Sequence, residues 1–420
     1  MPHPYHGGMS IPISGSSEPG VRAQSETVKK AAVQHRHIAG IDAIRLIAAV
    51  LVMLFHYGFW VGAYPAGDAH QVSQGLIAFP AFYEWTNFAW VGVQVFFVIS
   101  GFVIAFSGQR AADAYAFFVT RFVRLFPAAL ICATISLFAA LLVGYTSQGE
   151  LIRAYFRSVL FIPFGPYIDG AYWTLAIEAA FYALVFGLIA LRRFHWLRGL
   201  AIVLGLQSTV FWTIYILAAA EPQSAFFHLM RQLQDAREME LLLLHHGCFF
   251  ALGIFLWLHL FKQKCQSNIF WFLLFTLAGC LQIYAVTLSF HYRYALVQPV
   301  ILPVVLWLVA MACIIAAIIR NNLVSRMPAW VLGSLRRMGL MTYPLYLLHQ
   351  TAGLALMGGL VKIGIAPVAA LCMTILLAFV SAWAVSTLLE PPLQKLSKNL
   401  LVRLKARFGQ QAAVKNWLKA

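Results

Sequence analysis

Apolar residues fall in ten long blocks, near residues 41–62, 88–107, 126–144, 172–191, 200–219, 239–261, 269–288, 298–319, 338–359 and 366–389. Most are about 20 residues long, the length an α-helix needs to cross a hydrocarbon layer ~30 Å thick. The pattern predicts an all-α fold, a polytopic integral membrane helical bundle with about ten transmembrane helices. Between the blocks, 145–171 and 220–238 mix acids, bases and aromatics and are expected to lie along the outer interface as amphipathic pieces.

Composition agrees: 61% of positions are hydrophobic and only 10% charged, so lipid is the main solvent. The net charge of +16 comes from basic residues scattered singly and in pairs between apolar runs, which argues against a nucleic-acid partner. The six cysteines show no CxxC pairing or metal-ligand spacing, and neither disulfides nor a metal are expected. Residues 1–37, rich in Gly, Ser, Pro and His, read as a disordered cytoplasmic tail rather than a signal peptide. Residues 38–392 form the membrane domain, and 393–420 a basic cytoplasmic tail.

With both ends inside, 23 Lys and Arg residues face the cytoplasm and 6 face out, Arg45 lying within the first span. The positive-inside bias therefore puts both termini in the cytoplasm of a bacterial inner membrane. No soluble catalytic domain fits between the spans, so any chemistry must occur within the bundle.

Ionisable groups inside spans mark candidate function. Asp42, Arg45 and His56 project within about 60° of one another on the first span, and His56 lies roughly 16 Å deeper than Arg45. An Asp42–Arg45 ion pair and a merely hydrogen-bonded His56 are the structural alternatives. Glu178, entering on the fourth span after Trp173, reaches the depth of His56, and a contact between the two would satisfy both; a bond from Glu178 to a neighbouring Thr or Tyr would serve it equally. On the ninth span Tyr343, Tyr346 and His349 share one side of a helix, by spacing alone more in keeping with packing than with chemistry. Pro344 among them either kinks the helix or lines a cavity. Arg121 and Arg124, three residues apart at the cytoplasmic surface, make a phosphate fork or a simple topological anchor.

These segments, in this order, resemble the acyltransferase family 3 membrane proteins, which move acetyl, succinyl or similar groups onto carbohydrates and other hydroxyl-bearing acceptors. The resemblance runs from residue 41 to about 392 and rests on Ile41 to His56, Gly92 to Phe102, Arg121-Phe122-Val123-Arg124, Trp173 to Tyr182, Thr342 to His349, and Glu390-Pro391. Ala43, Gln94 and Ala179-Ala180 depart from the family's usual Gly, Asp and second acid with Gln. The resemblance implies that His56 is the catalytic base, that Arg45, Arg121 and Arg124 hold the donor, and that Glu178 completes the buried site. Many members carry a further extracytoplasmic domain after the bundle. Here 30 residues follow Glu390, and direct delivery of the acyl group to the acceptor or to a separate partner is expected.

The expected reaction takes an acyl group from cytoplasmic acyl-CoA, acetyl-CoA in the first instance, to a sugar hydroxyl on a surface polysaccharide, lipid-linked oligosaccharide or glycolipid arriving from outside. His56 removes the hydroxyl proton, Glu178 or Asp42 orients the imidazole, and a Ser100-Gly101 turn lets the pantetheine arm pass close to backbone. Trp173, Tyr343, Tyr346 and His349 line the substrate path. Tyr343, Tyr346 and Ser100 are also candidate carriers of a covalent intermediate. The rival class is a secondary transporter or flippase for a polyprenyl-linked sugar, but the spans show no two related halves. A non-catalytic organiser of polysaccharide synthesis would need neither His56 nor the arginine pair. Oligomeric state is open.

Overall fold

The computed structural model describes residues 38–262, 264–294 and 300–417; the expected N-terminal tail, residues 1–37, lies outside the described residues. Among the described residues there are helices and turns and no strand. The long helices are α1 (Ala39–Ala63), α2 (Ala89–Arg110), α3 (Ala114–Val143), α5 (Tyr172–Ala190), α6 (Phe194–Ala218), α9 (Gln266–Tyr294) and α10 (Ile301–Ile319). Helix α13 (Pro367–Ala384) runs through a π-helical turn into α14 (Glu390–Trp417). Among the described residues, eight helical stretches are long and apolar enough to cross a membrane.

The other two expected crossings are shorter or broken. Helix α8 (Gly247–Phe261) has 15 residues and starts later than the apolar run, because Glu240 to His246 form a short helix and turns. The expected 338–359 span is two helices, α11 (Ala329–Leu348) and α12 (Thr351–Lys362), separated at His349-Gln350. Pro344 does not end α11, which continues for four more residues.

The two amphipathic stretches contain α4 (Gln148–Val159) and α7 (Ala225–Asp235). Serines cap both: Ser147 Oγ accepts from Glu150 N at 3.3 Å, and Ser224 Oγ from Phe227 N at 3.1 Å. Helix α4 buries Leu151, Ala154 and Val159 while exposing Ile152 and Phe156.

Small residues set the spacing around the centre. Helices α2 and α8 cross so closely that a Cβ on Gly101 would lie 2.2 Å from the Phe250 carbonyl oxygen, and one on Gly253 2.1 Å from that of Val98. Gly101 is therefore mid-helix, and helix packing fills its open side. The expected Ser100-Gly101 turn for a passing donor arm is absent. On α11, a Cβ at Gly339 would meet the Asp42 carboxyl at 2.3 Å, which fixes α11 against the start of α1. Helix α14 is docked on the start of α3: Tyr115 OH donates to Leu401 O at 2.6 Å, and Lys405 Nζ lies 2.8 Å from Asp113 Oδ2.

Candidate active site

Two cavities meet in the middle of the bundle. The first, about 120 Å³, is basic: Arg45, Arg121 and Arg124 line it with Ser100, Glu178, Tyr182 and Tyr343. The second, about 710 Å³, is aromatic: His56, Trp60, Trp90, Trp173, Tyr167 and Phe290 line it, together with Arg237, Glu240, His245, His246 and Gln282. Val93 and Tyr346 belong to the walls of both.

In the basic cavity, three cations come from two helices because Arg45 sits on α1 and Arg121 and Arg124 lie one turn apart on α3. Arg121 Nη2 donates to Ser107 Oγ at 2.9 Å, and Arg124 Nη1 lies 3.9 Å from Glu390 Oε1. Gln394 Nε2 donates to the same Glu390 oxygen at 2.6 Å. Glu390 thus belongs to the arginine cluster. Three guanidinium groups against two carboxylates, Glu178 and Glu390, leave a formal charge of one positive unit, which suits a phosphate-bearing ligand.

Glu178 does not meet His56. Its Oε1 accepts from Ser100 Oγ at 2.6 Å and from Tyr182 OH one turn along α5. This is the neighbouring-hydroxyl alternative: two donors satisfy the carboxylate inside the basic cavity, while His56 lines the other one. Asp42 does not orient the imidazole either. It packs at Gly339, 14 residues and about 21 Å along α1 from His56.

The partner of His56 is His349. The π-helical turn Phe55–Trp60 carries His56, whose Nδ1 lies 2.9 Å from the Val52 carbonyl oxygen and 3.0 Å from His349 Nε2. His349, fully buried, places its Nδ1 2.8 Å from Tyr346 O. A carbonyl can only accept, so both Nδ1 atoms carry the protons. His349 Nε2 then offers its lone pair to the His56 Nδ1–H, and His56 Nε2 is left unprotonated. The arrangement prepares one imidazole to take up a proton at Nε2, with a neutral imidazole behind it to stabilise the resulting cation.

The remaining predicted residues line the path between the cavities. Thr174 Oγ1 donates to Tyr346 OH at 3.2 Å, Tyr343 OH donates to Leu125 O at 3.2 Å, and Trp173 stands beside His246 with ring centroids 5.7 Å apart.

Sequence reasoning missed the far wall of the aromatic cavity. Arg237 donates to Pro163 O at 2.8 Å and Trp173 O at 2.9 Å and pairs with Glu240. His245 Nε2, His246 Nδ1 and both amide atoms of Gln282 are buried without a hydrogen-bond partner. The visible signal was His245-His246 at the entry of an apolar span. Glu240, His245 and His246 each bring one potential ligand atom within 4.8 Å of the others. Arg237 already neutralises Glu240, so the cluster offers a divalent cation no net negative charge and fits the polar lining of a cavity better.

The fold and the two-cavity site define a polytopic helical membrane protein with a buried, histidine-based centre. The profile of a family described as an acyltransferase domain matches residues 38–387, and the chain belongs to that family. Nodulation protein 10 of Rhizobium leguminosarum bv. viciae is 27% identical over 199 residues, 42% of this chain and 51% of that protein. The putative peptidoglycan O-acetyltransferase YrhL of Bacillus subtilis is 26% identical over 244 residues, 52% of this chain and 33% of its own length. The peptidoglycan O-acetyltransferase OatA of Listeria monocytogenes is 24% identical over 249 residues, 53% of this chain and 34% of its own length. The chain thus matches between about a third and a half of the length of these relatives. No solved structure matches it.

Proposed function

We propose that the protein is a membrane-bound O-acyltransferase that moves an acetyl or similar short acyl group from cytoplasmic acyl-CoA to a hydroxyl of a carbohydrate acceptor. The observation that carries this reading is the pair of cavities sharing Tyr346 and Val93, one cationic and one aromatic, with His56 on the aromatic side. Two relatives are named peptidoglycan O-acetyltransferases, which supports acetyl as the group and a glycan as the acceptor class. The basic bias of 23 to 6 supports an orientation with both termini and the arginine cavity towards the cytoplasm of a bacterial inner membrane.

Phosphates of the donor bind at Arg45, Arg121 and Arg124, and the thioester end passes Tyr343 and Tyr346 towards His56. The acceptor enters the aromatic cavity, where Trp60, Trp90 and Trp173 provide apolar faces for a sugar ring. The unpartnered polar atoms of His245, His246 and Gln282 supply donors and acceptors to hydroxyl groups. His56 Nε2 takes the hydroxyl proton as the oxygen attacks the thioester carbonyl carbon; the C–S bond breaks, and the imidazolium returns its proton to the departing thiolate. His349 stabilises the imidazolium through the His56 Nδ1–H. The test is transfer of label from [¹⁴C]acetyl-CoA to glycan in membranes containing the protein. Loss of label incorporation with the Arg124→Ala variant supports the reading, and uptake of intact sugar without acyl transfer contradicts it.

A further inference from the structure

The break between α11 and α12 falls at His349-Gln350. A helix break deep in a membrane protein leaves backbone groups that must find other partners. Two side chains supply them. Tyr57 OH, on the neighbouring turn of α1, donates to the His349 carbonyl oxygen at 2.6 Å. Asp169, from the loop before α5, accepts the Thr351 N–H at 2.7 Å on Oδ2 and the Ala171 N–H at 2.9 Å on Oδ1.

Asp169 is only 1% exposed, and its carboxylate caps the first turn of α12 from a segment 182 residues away. The adjoining backbone is equally close, since a Cβ on Gly170 would lie 2.5 Å from Gln350 Oε1. The loop itself is tied down: Ile168 N donates to Ser158 Oγ at 2.9 Å, and Arg157 donates to Gly165 O at 2.5 Å. The same loop supplies Phe164, Gly165, Tyr167, Gly170 and Ala171 to the wall of the aromatic cavity.

We propose that Asp169 is a positioning residue that acts through His349: by capping the helix break, it holds the His349 ring against His56 and ties that pair to the acceptor-side loop. On its C-terminal side His349 is held by the Tyr57 bond to its carbonyl and by the capped Thr351. Releasing the cap frees α12 to shift, and a small displacement of His349 removes the lone pair that fixes the His56 tautomer. The catalytic consequence rests on the reading given under Proposed function; the geometric claim does not.

The experiment combines labelling with a mutant cycle on the full chain in detergent. Diethyl pyrocarbonate modification, read peptide by peptide by mass spectrometry, reports ring accessibility. In the parent, His349 should react slowly, because it is fully buried with both ring nitrogens engaged. Asp169→Asn and Asp169→Ala should raise its rate about 10-fold, with the rate at buried His245 unchanged as the check on folding. Transfer from [¹⁴C]acetyl-CoA to glycan in isolated membranes should fall on the order of 10 to 100-fold in Asp169→Asn with the KM for acetyl-CoA unchanged. In a His349→Ala background, the same substitution should have no further effect. An unchanged His349 labelling rate, or a transfer loss that persists in full in the His349→Ala background, overturns the proposal. If the parent transfers no acetyl group but His349 labelling responds as described, the positioning role stands and the proposed function fails.

Discussion

His349 Nε2 lies 3.0 Å from His56 Nδ1, although the two residues are 293 positions apart in the sequence. Because Tyr346 O and Val52 O fix the protons on the two Nδ1 atoms, His349 acts towards His56 as a neutral hydrogen-bond acceptor in the place where a carboxylate often stands.

His349→Gln can keep a hydrogen bond to His56 through its side-chain oxygen, whereas His349→Ala cannot. The alanine variant is expected to lose about 10 to 100-fold in kcat for acetyl transfer and the glutamine variant less, with the KM for acetyl-CoA unchanged in both. Steady-state kinetics in membranes check this. A normal kcat in His349→Ala would show that the contact is packing only.

At the donor end, Arg124→Ala removes one charge-assisted contact, worth about 1.5 to 3 kcal/mol, and should weaken acyl-CoA binding by about 10 to 150-fold. Arg124→Lys should recover only part, because an ammonium does not reproduce a bidentate fork. Titration of CoA into the purified variants measures both. Parent-like affinity in the alanine variant would make the arginine pair a topological anchor.

Asp169 gives a pH dependence of stability. Burial pushes its carboxyl up to about 7, against the opposing effect of the Thr351 and Ala171 N–H bonds. An unfolded aspartate titrates near ~3.9, so between those values the folded chain holds the proton more tightly. The contribution is complete below about pH 4 and is lost as pH rises through about 7. Thermal scans of the detergent-solubilised protein at pH 4 and 7.5 should show a larger fall in Tm for the parent than for Asp169→Asn. Equal falls would show that the carboxyl does not titrate in this window.

The bundle and its polar residues were legible because hydropathy over 20-residue blocks and ionisable groups within them are local signals. The pairing of those groups was not. Helical rise places Glu178 and His56 at comparable depth, but depth does not say which side of a bundle a side chain faces, and Glu178 turned out to serve Ser100 and Tyr182. Tyr182, four residues along the same helix, was the legible half of that network. His349 was recognisable as a polar residue on a shared face with Tyr343 and Tyr346. Its approach to His56 depends on a helix break stabilised from Asp169 and Tyr57, contacts between segments distant in sequence. Gly101 misled for a related reason: a glycine after a serine permits a turn, yet here it permits a helix crossing.

The central claim is that His56 is the base, and it is tested most directly by acetyl transfer in isolated membranes containing His56→Ala or His56→Gln. Loss of a general base typically costs 10² to 10⁴-fold. Both variants are expected to lose activity on that order, glutamine nearly as much as alanine because an amide cannot take the proton, while CoA titration gives parent-like affinity. Near-normal acetyl transfer by both variants would contradict the account.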